Sequence, residues 1–161
     1  MIYILIIIAL ILFFQNQVSN QDTMVNTIYQ KYNSILTSCA TRFNIPVKYI
    51  VGIIMQESSG NENVSDGAAG DRGLMQITPD ALADVNSRYG TAITYDQLTD
   101  PTNNIFVGSA YLSLKISEFA GNYQQAIQAY NAGAGTVEAN PAASLSYFQA
   151  VNKFASFLSL T

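Results

Sequence analysis

The 161-residue chain carries 7 Lys and Arg against 11 Asp and Glu, a formal net charge of −4, with a single Cys and neither His nor Trp. Without His there is no Ser-His-Asp or Cys-His nucleophile, no HExxH zinc site and no imidazole acid/base, and one Cys excludes an intrachain disulfide or a CxxC redox pair. The basic residues are scattered, so no polycationic nucleic-acid surface arises, whereas 49% apolar and 11% aromatic residues suffice for the core of one compact domain.

Met1–Gln21 has no charged side chain, and Asp22 is the first charge met along the chain. Within it Ile2–Phe14 is an unbroken apolar run of 13 residues, inside the roughly 7–15 of an export-signal core and short of the roughly 20 that span a bilayer. Residues 1–21 are expected to act as a signal peptide or short membrane anchor. Residues 22–161 are then the exported domain, in contact with the membrane only through that segment.

Val25, Ile28, Tyr32, Ile35, Leu36 and Cys39 recur at spacings of three and four, which predicts an amphipathic helix over about residues 23–42 with Cys39 as a buried free thiol. Asn44-Ile45-Pro46 is a start signal, with Pro46 tolerated in the first turn. The segment Val47–Glu57 is apolar almost all round, the mark of a central helix, and a polar, Gly-rich loop follows over Ser58–Arg72. Thr78-Pro79-Asp80 opens a helix toward Tyr89, and Thr91–Tyr95 is the sole strand candidate. Asp100-Pro101 opens a helix closed by Gly121. Another runs from Tyr123 through Tyr130 to stops at Gly133 and Gly135, and a last one covers Ala142–Leu160. The expectation is one mainly α domain.

Glu57 is the only acidic residue between Asp22 and Glu62, and it ends the most apolar helix. Desolvation there and the negative end of the helix dipole both disfavour a charged carboxylate, so its pKa is expected to be raised. A carboxyl kept protonated in a cleft is a general acid. Glu57-Ser58 is followed by Gly73-Leu74-Met75-Gln76-Ile77-Thr78-Pro79, then Asn104-Ile105, Gly108 with Tyr111-Leu112, and Ala129-Tyr130-Asn131-Ala132-Gly133.

This ordered set resembles the soluble lytic transglycosylase (SLT) domain family, over about residues 40–152. The resemblance implies a goose-type, lysozyme-like fold. It makes Glu57 the catalytic acid/base, and Ser58 a neighbour that helps hold substrate. Met75 and Gln76 become cleft-floor positions, with the Gln76 amide on an acetamido group or on Glu57. Tyr130 and Asn131 become the opposite wall, the Tyr130 hydroxyl meeting the carboxyl, and Tyr147 a last-helix tyrosine near the cleft. The loop Ser59-Gly60-Asn61-Glu62-Asn63 departs from the family in lacking its aromatic residue and Pro.

The implied substrate is peptidoglycan, cleaved at the MurNAc–GlcNAc β-1,4 bond to leave 1,6-anhydroMurNAc ends, by a monomer in the periplasm, cell envelope or a virion. Its assembly partners would be type IV secretion or conjugation machinery, or a phage. No cofactor and no metal are expected: Asn61–Gly67 fails the EF-hand pattern, its Gly falling one position late. Two alternatives stand beside this reading. One is a hydrolytic goose-type-like muramidase with Asp66, Asp71 or Asp100 as second acid. The other is a non-catalytic peptidoglycan-binding or assembly module. The many Asn and Gln residues read as composition without a role.

Overall fold

The computed structural model describes residues 2–158. They form the helices α1 (Ile2–Lys31), α2 (Asn33–Phe43), α3 (Val47–Ser58), α4 (Pro79–Tyr89), α5 (Pro101–Glu118), α6 (Tyr123–Ala132), α7 (Ala134–Ala139) and α8 (Leu145–Phe157), with a 3-10 turn at Asp96–Thr99. Among the described residues there is no sheet, only an isolated antiparallel bridge between Arg72 and Ile77.

The all-round apolar segment is the core. Ile50, Val51, Ile53 and Ile54 of α3 are wholly buried, and each contributes roughly 1.5–3 kcal/mol by transfer from water. Helix α8 packs most extensively on α3, while α1 and α2 cover its other sides and α5 ties α2 to α4 and α6. The α3–α8 approach depends on Gly52, because a Cβ there would lie 2.7 Å from the Val151 carbonyl oxygen. Pro46 is the N-cap of α3, one position ahead of the first turn. Cys39 is buried on α2 as a free thiol.

Four expectations are corrected. The helix expected over 23–42 is two: α1 runs unbroken from the apolar segment to Lys31, and the chain bends at Tyr32 before α2. That bend lets α1 lie on α3 and α8 while α2 packs on α5. Residues 3–20 of α1 are exposed, and burial starts at Val25 and Ile28.

No strand forms at Thr91–Tyr95. Asn86 takes up its polar groups instead: Oδ1 accepts from Ile93 N–H (3.2 Å) and the Thr91 hydroxyl (2.7 Å), and Nδ2 donates to the Ile93 carbonyl (2.8 Å). A backbone satisfied by a side chain needs no partner strand.

Of the two glycines expected to stop α6, Gly133 (φ +81°) does so, but Gly135 lies inside the short α7. The last helix starts at Leu145 rather than Ala142 because Ser144 adopts the left-handed conformation (φ +58°). Its expected end at Leu160 lies outside the described residues.

Candidate active site

Glu57 sits in the last turn of α3, which the left-handed Ser59 (φ 53°) closes by donating its N–H to the Met55 carbonyl. The carboxyl is largely enclosed, and its Oε1 accepts a hydrogen bond from the Tyr147 hydroxyl on α8. Burial pushes the Glu57 pKa up, the Tyr147 hydrogen bond pulls it partly back, and the negative charge of Asp71 pushes it up further. The phenols of Tyr130 and Tyr147 are themselves raised well above their usual range by burial and by the Glu57 charge, so both stay neutral donors.

The residues 73–76 form a tight loop whose polar backbone groups are claimed from several helices. Reciprocal Arg72–Ile77 backbone bonds close its base, at 3.1 and 3.0 Å, and the Gln76 N–H donates to the Gly73 carbonyl. From α3 the Ser58 hydroxyl faces the Leu74 carbonyl at 2.9 Å. From α6 the Tyr130 hydroxyl donates to the Met75 carbonyl at 2.9 Å. From α5 the buried Asn104 amide accepts the Met75 N–H (2.8 Å) and donates to the Arg72 and Leu98 carbonyls (2.8 and 3.0 Å). Gly73 (φ +75°) admits that amide, since a Cβ there would fall 2.2 Å from Asn104 Nδ2. Gly108 likewise admits Met75, whose Sδ would lie 2.4 Å from an added Cβ.

This geometry places the expected site residues unevenly. Ser58 is buried, with its hydroxyl between the Ile54 and Leu74 carbonyls, so it locks the loop to α3 rather than facing a ligand. The Met75 side chain is fully buried core, and its carbonyl supports Tyr130. Gln76, at φ 46°, turns its amide nitrogen onto the Gly73 carbonyl (2.9 Å) rather than onto Glu57. The tyrosine on the carboxyl is Tyr147; Tyr130 feels the Glu57 charge but bonds to the loop.

Gln76, Tyr111, Tyr130 and Asn131 line a cavity of about 270 Å³ with Thr78 and Asp80. A wider depression of about 680 Å³ along Asp22–Lys31 is a groove on one face of α1. Asn104 is in the motif set without an assigned role. Its signal is an amide on the buried stripe it shares with Gly108 and Leu112, at helical spacing.

Of the candidate second acids, Asp66 is bound to Arg72 (2.6 Å) and Asp100 caps α5 by accepting the Asn103 N–H. Asp71 is the one whose charge reaches Glu57. Among the described residues no three Asp, Glu, His or Cys side chains converge as metal ligands.

The causes of the Glu57 shift predict opposite pH responses. An acid works only while protonated, so its activity falls as pH rises through its pKa. Tyr147→Phe removes a bond that favours the carboxylate, and the alkaline limb of the rate profile is expected to move to higher pH. Asp71→Asn removes a charge that disfavours the carboxylate, and the limb is expected to move to lower pH. The Glu57 carboxyl titration in each variant, followed by carbon-13 NMR, checks the cause of both; movement in the same direction would disprove this account of the carboxyl.

A family model described as the transglycosylase SLT domain matches residues 34–147. The chain belongs to that family. Its SLT domain is 33% identical over 108 residues to the soluble lytic murein transglycosylase of Escherichia coli (strain K12), covering 66% of this chain and 17% of that protein. It is 31% identical over 96 residues to the transglycosylase of Enterobacteria phage PRD1, covering 60% of this chain and 32% of that one. An inactive form of the lytic transglycosylase Slt from Pseudomonas aeruginosa superposes with a TM-score of 0.71 at 27% identity, over 77% of this chain and 23% of that chain. The fold is therefore the helical, lysozyme-like fold of SLT domains. The chain spans less than a third of the length of each of these proteins.

Proposed function

We propose that this SLT domain is a peptidoglycan lytic transglycosylase with Glu57 as its acid and base. The observation that carries the reading is a single enclosed carboxyl, Glu57, held by the Tyr147 hydroxyl and close enough for its charge to act on Tyr130, which lines a cavity with Gln76 and Asn131.

Glu57 protonates the bridging oxygen of the MurNAc–GlcNAc bond, and the C1–O bond breaks. The substrate's N-acetyl oxygen stabilises the positive charge at C1. Glu57, now a carboxylate, takes the proton of the C6 hydroxyl as O6 bonds to C1, which closes the 1,6-anhydro ring. The proton lost by Glu57 is returned and no water is consumed, so the two-carboxylate arrangement of hydrolytic glycosidases is not required. In this reading Gln76 and Asn131, which line the cavity, contact the sugar, while Ser58 and Met75 act through the loop they hold.

The product decides the reaction. Fragments released from purified walls are expected to lie one water below the hydrolysis products by mass. Reducing-end MurNAc as sole product would instead make the domain a muramidase, with Asp71 the acid to test first. No release of fragments at all would leave a binding module.

Residues 1–21 carry the domain to the cell envelope, as signal peptide or anchor. From Ile2 onward that segment is helical, apolar to Phe14 and exposed from residue 3 to residue 20. A local wall-opening role alongside a phage particle or secretion machinery completes this reading, and the similarity to the transglycosylase of Enterobacteria phage PRD1 supports the first of the two.

A further inference from the structure

Gln128 and Asn131 stand three residues apart on α6, and both reach the turn that launches α8. Gln128 is wholly buried; its Nε2 donates to the Pro141 carbonyl (3.0 Å) and the Ala143 carbonyl (2.6 Å). Asn131 Oδ1 accepts from the Ser144 hydroxyl at 2.5 Å. Its other bonds are local: the Asn140 N–H donates to the Thr136 carbonyl of α7 (2.9 Å), Asn140 Oδ1 accepts the Ala142 N–H (3.1 Å), the Asn140 carbonyl accepts the Ala143 N–H (2.8 Å) and the Ala142 carbonyl accepts the Leu145 N–H (3.3 Å). It ends in the left-handed Ser144, whose carbonyl accepts the Tyr147 N–H at 3.1 Å.

Tyr147 therefore stands in the first turn of a helix whose starting point is set from α6, and its hydroxyl meets Glu57. Gln128 keeps these two donated bonds although its buried Oε1 has no partner among the described residues. An apolar side chain would avoid that orphan but leave both carbonyls without their donor, so the amide's use lies in holding the turn.

We propose that Gln128, backed by the Asn131–Ser144 bond, is a positioning residue that keeps the Tyr147 hydroxyl on Glu57 and so sets the proton affinity of that carboxyl. The proposal rests on Glu57 being the acid of the reaction above. The titratable groups facing Glu57 are Tyr147 from α8, Tyr130 from α6 and Asp71 from the loop before Gly73. Tyr147 is the one carried on the pinned segment, since Tyr130 is held separately by the Met75 carbonyl.

Gln128→Met keeps side-chain length and removes both donors. Its kcat is expected to fall roughly tenfold, about what one lost hydrogen bond implies, with KM little changed. The alkaline limb is expected to move to higher pH, as in Tyr147→Phe, and the double variant Gln128→Met/Tyr147→Phe to show no shift beyond that of Tyr147→Phe. Ser144→Gly removes the second pin, relieves the left-handed strain and keeps the fold; a smaller shift in the same direction is expected. The Glu57 carboxyl titration followed by carbon-13 NMR supplies the same readout without turnover.

An unmoved titration in a folded Gln128→Met, or an additive shift in the double variant, would overturn the proposal. Should Gln128→Met not fold, an unmoved titration in Ser144→Gly overturns it equally. A wild-type protein that titrates as described but releases no glycan would refute the reaction and leave the positioning intact.

Discussion

Glu57→Gln is expected to lower the release of glycan fragments by about 10²–10⁴-fold, the range associated with a positioned general acid. The substitution keeps size and shape, and the Gln oxygen still accepts the Tyr147 hydroxyl, so KM and fold are expected to hold. What is lost is a proton to give to the bridging oxygen and a carboxylate to take one from the C6 hydroxyl. Stability adds an independent sign. A carboxyl whose folded pKa is raised by burial costs stability as pH climbs from its unfolded value through its folded value. A neutral Gln escapes that cost, so the variant's melting temperature at neutral pH should equal or exceed that of the wild type. A turnover assay on purified walls beside a thermal melt reads both. Activity within tenfold of the wild type would remove Glu57 from the chemistry.

Asn104→Ala is expected to destabilise the domain by about 2–5 kcal/mol, because it strands the Met75 N–H and the Leu98 carbonyl in a buried site at roughly 1–3 kcal/mol each, while the Arg72 carbonyl keeps the Ile77 N–H. The consequence reaches beyond stability. The loop it releases presents Gln76 and holds Tyr130 through the Met75 carbonyl, so kcat is expected to fall in the fraction that still folds. Asn103→Ala, one residue away, gives up only an exposed contact from its Nδ2 to the Gln97 carbonyl (3.3 Å), while its backbone N–H stays on Asp100; it should cost less than about 1 kcal/mol. Denaturant titration of the two variants side by side is the measurement. A loss for Asn104→Ala under about 1 kcal/mol would mean that the loop holds its shape without the amide.

Much of this was legible in the sequence because it depends on local periodicity. The all-round apolar Val47–Glu57 could only be a core helix, and Thr78 and Asp100 are capping types at positions where their side chains do cap. The candidate acid was singled out for the same reason: Glu57 is the only acidic residue between Asp22 and Glu62 and ends that helix, where burial does raise its pKa.

What failed to show was anything decided by the path of the chain in space. Tyr130 and Tyr147 are chemically alike, and only the packing of α8 on α3 puts the second on the carboxyl. Ser58 and Met75 sit in the motifs yet turn inward, because a tight loop must satisfy its own backbone before it can face a sugar. Asn104 stood in the motif set without a role and Gln128 was passed over as composition, since an amide usually marks a surface. Here each holds a piece of irregular backbone that no strand or helix satisfies.

The unbroken run of α1 from Ile2 into the buried contacts at Val25 and Ile28 makes orientation a matter of phase. A flexible tether passes on reach alone, whereas a helix passes on rotation as well, about 100° and 1.5 Å for every residue. While residues 1–21 stay attached, one residue added between Gln15 and Gln21 would swing the cleft by more than a quarter turn about the α1 axis and barely change its height. Eleven added residues would return it to nearly the original bearing some 16 Å farther out. The direction in which Glu57 faces is thus written into the residue count of a stretch that touches none of the groups around it.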